Sequence, residues 1–295
     1  MQEKEYVLSK DNVQLAMSEE EYANMQSLQN YILEILVDVD EFCRKNEITY
    51  YLGEGTLLGA LRHKGFIYWD DDADILMPRE DYEKFLEIAP KGLEEKYTVD
   101  SFKTNPKHWS IPSMVQMKRK TEFEKPLYEK VALSNGPNID IFPLDYVKTD
   151  NQKKLLIRAT KIRALKRALW LKSKVHSRRN YKTLKRRIFY YYPCKVLAFF
   201  NSDKMLKKKI NKQLLKTNDK ANGYLANFAS LYLIGREVCP KEWFSSPSEL
   251  EFEGHMFLAP AQPDKVAKRL YGDYMQLPPL EKRRSKHHFS NFEEE

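Results

Sequence analysis

The sequence predicts an α+β protein, a core of interleaved strands and helices that carries a basic helical insertion. Three observations predict it. Short β-prone segments alternate with helical periodicity as far as residue 147, helical periodicity alone runs through 151–220, and the charge divides at the same boundary. With 295 residues, 42% of them hydrophobic, the chain can bury one enlarged core with a helical annex. The implied division is residues 1–150 as the core with an N-terminal helix, 151–222 as the basic helical part, and 223–295 as a return to the core.

The elements follow in order. Ser18 with Glu21 three residues on has the form of a capping box, and Met25, Leu28, Ile32, Ile35, Val39 and Phe42 recur at helical spacing, so a helix is expected over 19–45. ITYYL (48–52) reads as a short strand broken by Gly53 and Gly55, and TLLGALRH (56–63) as a short helix. After Gly65, FIYWDDDADILM (66–77) reads as a strand stopped by Pro78, and DYEKFLEIA (81–89) as a helix. Further strands are expected at 97–102, 113–120, 138–147 and LEFEGHMFLA (250–259), with a short helix around 264–271.

Composition excludes several classes. Cys43, Cys194 and Cys239 are far apart and form no C-x-x-C pair, which argues against a zinc site or a disulfide framework. The N-terminus lacks the basic start and apolar run of a signal peptide, and no stretch approaches the roughly 18 to 20 apolar residues that span a bilayer. A cytoplasmic protein is the expectation.

Trp69-Asp70-Asp71-Asp72-Ala73-Asp74-Ile75 is the most informative stretch. On an extended strand Asp70, Asp72 and Asp74 would share one face, with Asp71, Ala73 and Ile75 on the other. Same-face neighbours lie roughly 6 to 7 Å apart, close enough to grip one metal ion or a pair of them. Like charges this close repel and raise one another's pKa, a penalty that a hard divalent cation removes. Asp140, between apolar neighbours in NIDIF (138–142), completes the cluster if its strand lies beside the first. Upstream, Gly53-Glu54-Gly55-Thr56-Leu57-Leu58-Gly59 turns a strand end into a helix start, where glycines permit close backbone approach and free N–H groups favour an anion.

These residues resemble a known family. GTLLGALRHKGFIYWDDDADILMPREDYEKF (55–85) is similar to the LicD family, related to fukutin-related protein within the nucleotidyltransferase superfamily. NIDIFPLD (138–145), FEGHMFLAP (252–260), YGDYMQLPP (271–279) and His287-His288 extend the likeness. Two positions depart from the pattern: Tyr68 stands where Pro is usual before Trp, and Ala73 where an aliphatic residue is usual between the last two Asp. Neither touches a carboxylate.

The resemblance implies a nucleotidyltransferase-like mixed sheet flanked by helices. It implies transfer of a phospho-alcohol, phosphocholine foremost, from a CDP-linked donor to a sugar of a cell-surface glycan such as lipopolysaccharide or teichoic acid, or of its lipid-linked precursor. The metal-binding and catalytic carboxylates would be Asp70, Asp72, Asp74 and Asp140, holding Mg²⁺ or Mn²⁺. Gly55, Thr56, Arg62, Lys64, Lys118 and Arg119 are the candidate substrate contacts, with His287 and His288 candidates to close over the site.

Residues 151–220 carry 23 Lys and Arg against two Asp, a net +21, so with +8 overall the rest of the chain is −13. That segment is expected to face an anionic partner. Leu155, Ile162, Leu165 and Leu169 form an apolar stripe, and Tyr190, Tyr191, Tyr192, Phe199 and Phe200 follow. Two arrangements fit, and they are compatible: docking on an anionic membrane surface, or a stripe packed on the core with its charges solvated. A nucleic-acid-directed nucleotidyltransferase is an alternative function, although no zinc finger, RNP-type motif or helix-turn-helix supports nucleic acid as the partner. A non-catalytic membrane-associated adaptor is another, against which the complete carboxylate set speaks.

Overall fold

A computed structural model describes residues 15–121, 123, 136–148, 150–172, 189, 191–230 and 232–284. The first helix, α1 (Glu19–Lys45), starts where the capping box closes. The Glu21 N–H donates to Ser18 Oγ at 3.1 Å and the Ser18 N–H to Glu21 Oε2 at 2.7 Å. The other elements are β1 (Tyr51–Leu52), α2 (Glu54–His63), β2 (Asp74–Pro78), α3 (Arg79–Gly92), β3 (Tyr97–Asp100), β4 (Ser113–Met117), β5 (Asn138–Val147), α4 (Gln152–Lys172), α5 (Tyr192–Phe199), α6 (Asp203–Leu214), β6 (Tyr224–Ala226), β7 (Val238–Pro240), β8 (Ser248–Phe252), β9 (His255–Ala259) and α7 (Pro263–Tyr271).

Among the described residues, seven strands make one mixed sheet along the path β1-β2-β5-β4-β3, with β6 and β7 added beside β5. β2 and β5 are parallel with Asp74 opposite Asp140, and antiparallel β4 places Met114 on the other side of Asp140. Strand β5 is long enough to serve two sets of partners: its first part pairs with β2 and β4, and Asp145–Val147 pairs with β6. The α1 residues Leu28, Ile32, Ile35 and Val39 join Ile75, Val115, Ile139 and Ile141 in one apolar core. At the start of α3, Arg79 donates to both oxygens of Asp145, at 2.8 and 3.0 Å, an ion pair sealed inside the protein.

The fold is α+β with a mixed sheet flanked by helices, and three details differ from expectation. First, 66–77 is not one strand. β1 offers only Tyr51 and Leu52, opposite Leu76 and Ile75, and that edge ends with the Gly53 N–H on the Asp74 carbonyl at 2.9 Å. Upstream, the Asp70 N–H closes a turn onto the Ile67 carbonyl at 2.8 Å, so β2 begins only at Asp74. Strand alternation therefore does not reach Asp70 and Asp72. Second, 250–259 is a hairpin, β8 against β9, turning at Glu253 and Gly254 with φ of 51° and 76°. Both positive values suit a two-residue turn whose twist matches paired strands. Third, β6 and β7 are short and carry little alternation, and the sequence does not announce them.

In the basic segment, Leu155, Ile162, Leu165 and Leu169 of α4 are buried in the same core as the sheet. The stripe is therefore spent on packing and is not a membrane-facing surface. Among the described residues no helix is long and apolar enough to cross a membrane.

Candidate active site

The site forms where β2 and β5 begin beside the first turn of α2. The Thr56 hydroxyl accepts from the Asp74 N–H at 2.8 Å, tying that turn to the start of β2. A Cβ on Gly55 would lie 2.5 Å from Asp70 Oδ2, so the Asp70 carboxylate rests directly on the glycine backbone. The anion place at the helix start, expected to cradle a phosphate, thus holds one of the protein's own carboxylates. Gln29 of α1 fixes the loop from beneath, its Nε2 donating to the Asp70 carbonyl at 2.8 Å and the Ile67 carbonyl at 3.4 Å. From the other side the Phe66 N–H donates to Glu253 Oε1 at 2.9 Å, in the β8–β9 turn.

This loop changes which carboxylates meet. Asp70, Asp71 and Asp72 each offer an oxygen within 4.8 Å of the other two. Asp71 belongs to the tight group, although strand alternation would turn it away. Asp74 is buried, and its pKa is raised well above the carboxylate range by burial first, then by Asp72, Asp140, Glu54 and Asp70. All four expected aspartates are thus within electrostatic reach of one point, with Glu54 as a fifth carboxylate.

Glu54 is the first residue of α2, held at φ 43°. Its Oε1 accepts from Asn227 Nδ2 at 2.9 Å, while its Oε2 is buried without a hydrogen-bond partner. Burial, reinforced by Asp72, pushes its pKa up to about 7 against the pull of Asn227 and Ser230. Glu237 stands nearby with an equally orphaned Oε1, its pKa driven up by burial and by Glu54. Tyr271 of α7 lies beside both Glu54 and Asp74, which add to the effect of burial in raising its pKa.

An all-oxygen carboxylate donor set of this density suits a hard divalent cation, and mutual repulsion of the kind seen at Asp74 is what such a cation relieves. The residues present fit that group, with Asp70, Asp71, Asp72, Asp74 and Asp140 the available ligands.

Comparison with known proteins adds a likeness in sequence. Residues 47–170 match the LicD/FKTN/FKRP nucleotidyltransferase domain. Over 268 residues, 86% of this chain and 92% of the relative, the protein is 29% identical to the lipopolysaccharide cholinephosphotransferase LicD of Haemophilus influenzae. A shorter stretch of 68 residues is 41% identical to an uncharacterised protein of Rickettsia prowazekii, covering 23% of this chain and 26% of that one. Residues 47–170 thus carry a LicD-type nucleotidyltransferase domain.

Of the four cations expected to contact phosphate, Arg62, Lys118 and Arg119 have side chains that bond to other parts of the protein. Arg62 is buried and donates to the Tyr274 and Gln276 carbonyls at 2.7 and 3.5 Å, strapping YGDYMQLPP onto α2. Burial lowers its pKa to about 10. Lys64 caps α2 at φ 57°, its carbonyl accepting the Glu253 N–H. Lys118 donates to the Glu94 carbonyl, and Arg119 pairs with Glu34 at 2.6 Å while lying over the Tyr31 ring. His287 and His288 lie outside the described residues, as does Tyr190.

Sequence reasoning passed over Gln29, Glu54 and Asp71. Gln29 had a signal, a polar residue inside the apolar face of α1. Glu54 had one too, an acid between two glycines at a helix start.

Proposed function

We propose that this protein transfers a phospho-alcohol, phosphocholine foremost, from a CDP-linked donor to a sugar of a surface glycan or of its lipid-linked precursor. Asp70, Asp72, Asp74 and Asp140, joined by Asp71, would hold Mg²⁺ or Mn²⁺. The observation that carries the proposal is the gathering of these carboxylates at the first turn of α2. The phosphocholine and glycan parts rest on likeness to a relative named as a lipopolysaccharide cholinephosphotransferase.

The bound cation would supply charge neutralisation at the donor's phosphate oxygens. An acceptor hydroxyl attacks the phosphorus bearing the alcohol, a new P–O bond forms, the bond to the CMP oxygen breaks, and CMP leaves. A carboxylate of the cluster takes the hydroxyl proton. Gln29 and the Glu253 turn hold the aspartate loop still, which keeps the reacting groups in line.

Asp72→Asn and Asp74→Asn are each expected to abolish CMP release from CDP-choline in the presence of acceptor glycan and Mg²⁺, with circular dichroism unchanged. Full activity in both variants would overturn the proposal.

A peripheral position at an anionic membrane is a second part of this reading. It is favoured by the aromatic end of the basic segment, where Phe199 and Phe200 are 82% and 73% exposed beside Tyr192 and Val196. Exposed aromatics among cations suit the boundary of a lipid layer.

A further inference from the structure

Beside its buried apolar stripe, α4 carries a second face that is exposed at Arg163 and partly buried at Lys166 and Arg167. Arg163, Lys166 and Arg167 stand at helical spacings of three and four, so they share a face. Arg163 donates to the Tyr232 carbonyl, and Lys166 Nζ donates to the Ala229 carbonyl at 2.7 Å. The turn they hold is part of the site's wall. Asn227 Oδ1 accepts from the Ala229 and Ser230 N–H groups at 2.9 and 3.1 Å, and Asn227 Nδ2 donates to Glu54. A continuous chain of contacts thus runs from Lys166 through 227–230 to Glu54 and on to Gly55, where Asp70 rests.

Lys166 is unusual among the cations of its segment. It is part-buried, and its one hydrogen bond among the described residues goes to a neutral carbonyl, with no ion pair there. Burial lowers its pKa to about 8, opposed by the Asp140 carboxylate, which is near enough to act on it. An ammonium has three protons to donate, so the Ala229 bond leaves donor capacity unused. Of the cations that sequence favoured for phosphate, Arg62, Lys118 and Arg119 are engaged with Tyr274, Glu94 and Glu34.

We infer that Lys166 is the side chain that grips the diphosphate of the donor beside the aspartate cluster, and that the basic insertion serves to mount it there. This rests on the donor reading above and names a contact for it. Its apolar neighbours on the helix act as anchors: Ile162, Leu165 and Leu169 lock α4 into the core, so the lysine is carried on a rigid element. A charged hydrogen bond to phosphate in so dry a place is expected to matter about tenfold to a hundredfold in affinity.

The experiment measures binding of CDP-choline and of cytidine, both with Mg²⁺, by calorimetry on the full chain. The proteins are wild type, Lys166→Met, Lys166→Gln and Asp72→Asn. Lys166→Gln still has an N–H for the Ala229 carbonyl, so it separates charge from scaffolding if Lys166→Met fails to fold. Support is a loss of tenfold or more for CDP-choline in Lys166→Gln, with cytidine binding unchanged and melting temperature preserved. CDP-choline binding at wild-type strength in Lys166→Gln overturns the inference while leaving the donor reading intact, since wild type would still bind and Asp72→Asn would not. Failure of wild type to bind CDP-choline overturns both.

Discussion

Gly55→Ala is the sharpest test of the site, because it separates stability from geometry. Gly55 lies in the first turn of α2 with an ordinary helical backbone, so alanine is tolerated there. Replacing glycine inside a helix by alanine stabilises by about 0.5–1 kcal/mol. The new methyl would nonetheless sit 2.5 Å from Asp70 Oδ2, and the next nearest atom is the Asp70 carboxyl carbon at 3.6 Å. A normal contact needs roughly 3.5 Å, so the carboxylate must retreat by about 1 Å. A side-chain tip can do this without disturbing the fold. Misplacing a reacting group by that distance costs on the order of a hundredfold in rate. The expected result is a melting temperature equal to or slightly above wild type, with CMP release from CDP-choline down about a hundredfold. Activity within twofold of wild type would refute the placement of Asp70 as a working ligand. A collapse in stability would refute the claim that only a side-chain tip stands in the way.

Other outcomes follow from burial and charge. Arg79→Met leaves Asp145 sealed in the core without its partner, and breaking such a pair costs about 3–5 kcal/mol; denaturant unfolding showing under 1 kcal/mol would contradict it. Glu54 has a folded pKa near 7 against 4.5 when unfolded, so the folded state holds the extra proton between those values and wild type loses stability as pH rises through that window. Metal-free Glu54→Gln is expected to escape that loss, being up to about 3 kcal/mol more stable at pH 8 and indistinguishable at pH 4. Equal melting temperatures of the two proteins at pH 8 would rule this out. Phe199→Glu combined with Phe200→Glu is expected to remove co-sedimentation with anionic vesicles at low salt; vesicle binding unaffected by the pair would dismiss the aromatic end of α5 as the contact.

Much of the architecture was readable because it is written in short-range rules. The cap at Ser18, the apolar spacing of α1, the strand 138–147 and the helix after Gly53 depend on residues a few positions apart. The carboxylate cluster was readable for the same reason, as a dense run of aspartates beside a glycine turn. The hairpin at 250–259 was misread as one strand because Glu253, with no glycine-like freedom of its own, takes a positive φ beside Gly254.

The sequence by itself determined which acids are present, that they are framed by β-prone residues, and that a large cationic surplus sits in one segment. Tertiary structure decided how they are used. The two-residue length of β1 ends the strand at Asp74, which bends Asp70, Asp71 and Asp72 into one group instead of alternating them across a sheet. Packing of α4 into the core turned an apparent lipid-facing stripe inward and brought Lys166 to a wall more than sixty residues away in the chain. Charge type is local information, but which charges end up facing one another is set by long-range contacts that no periodicity encodes.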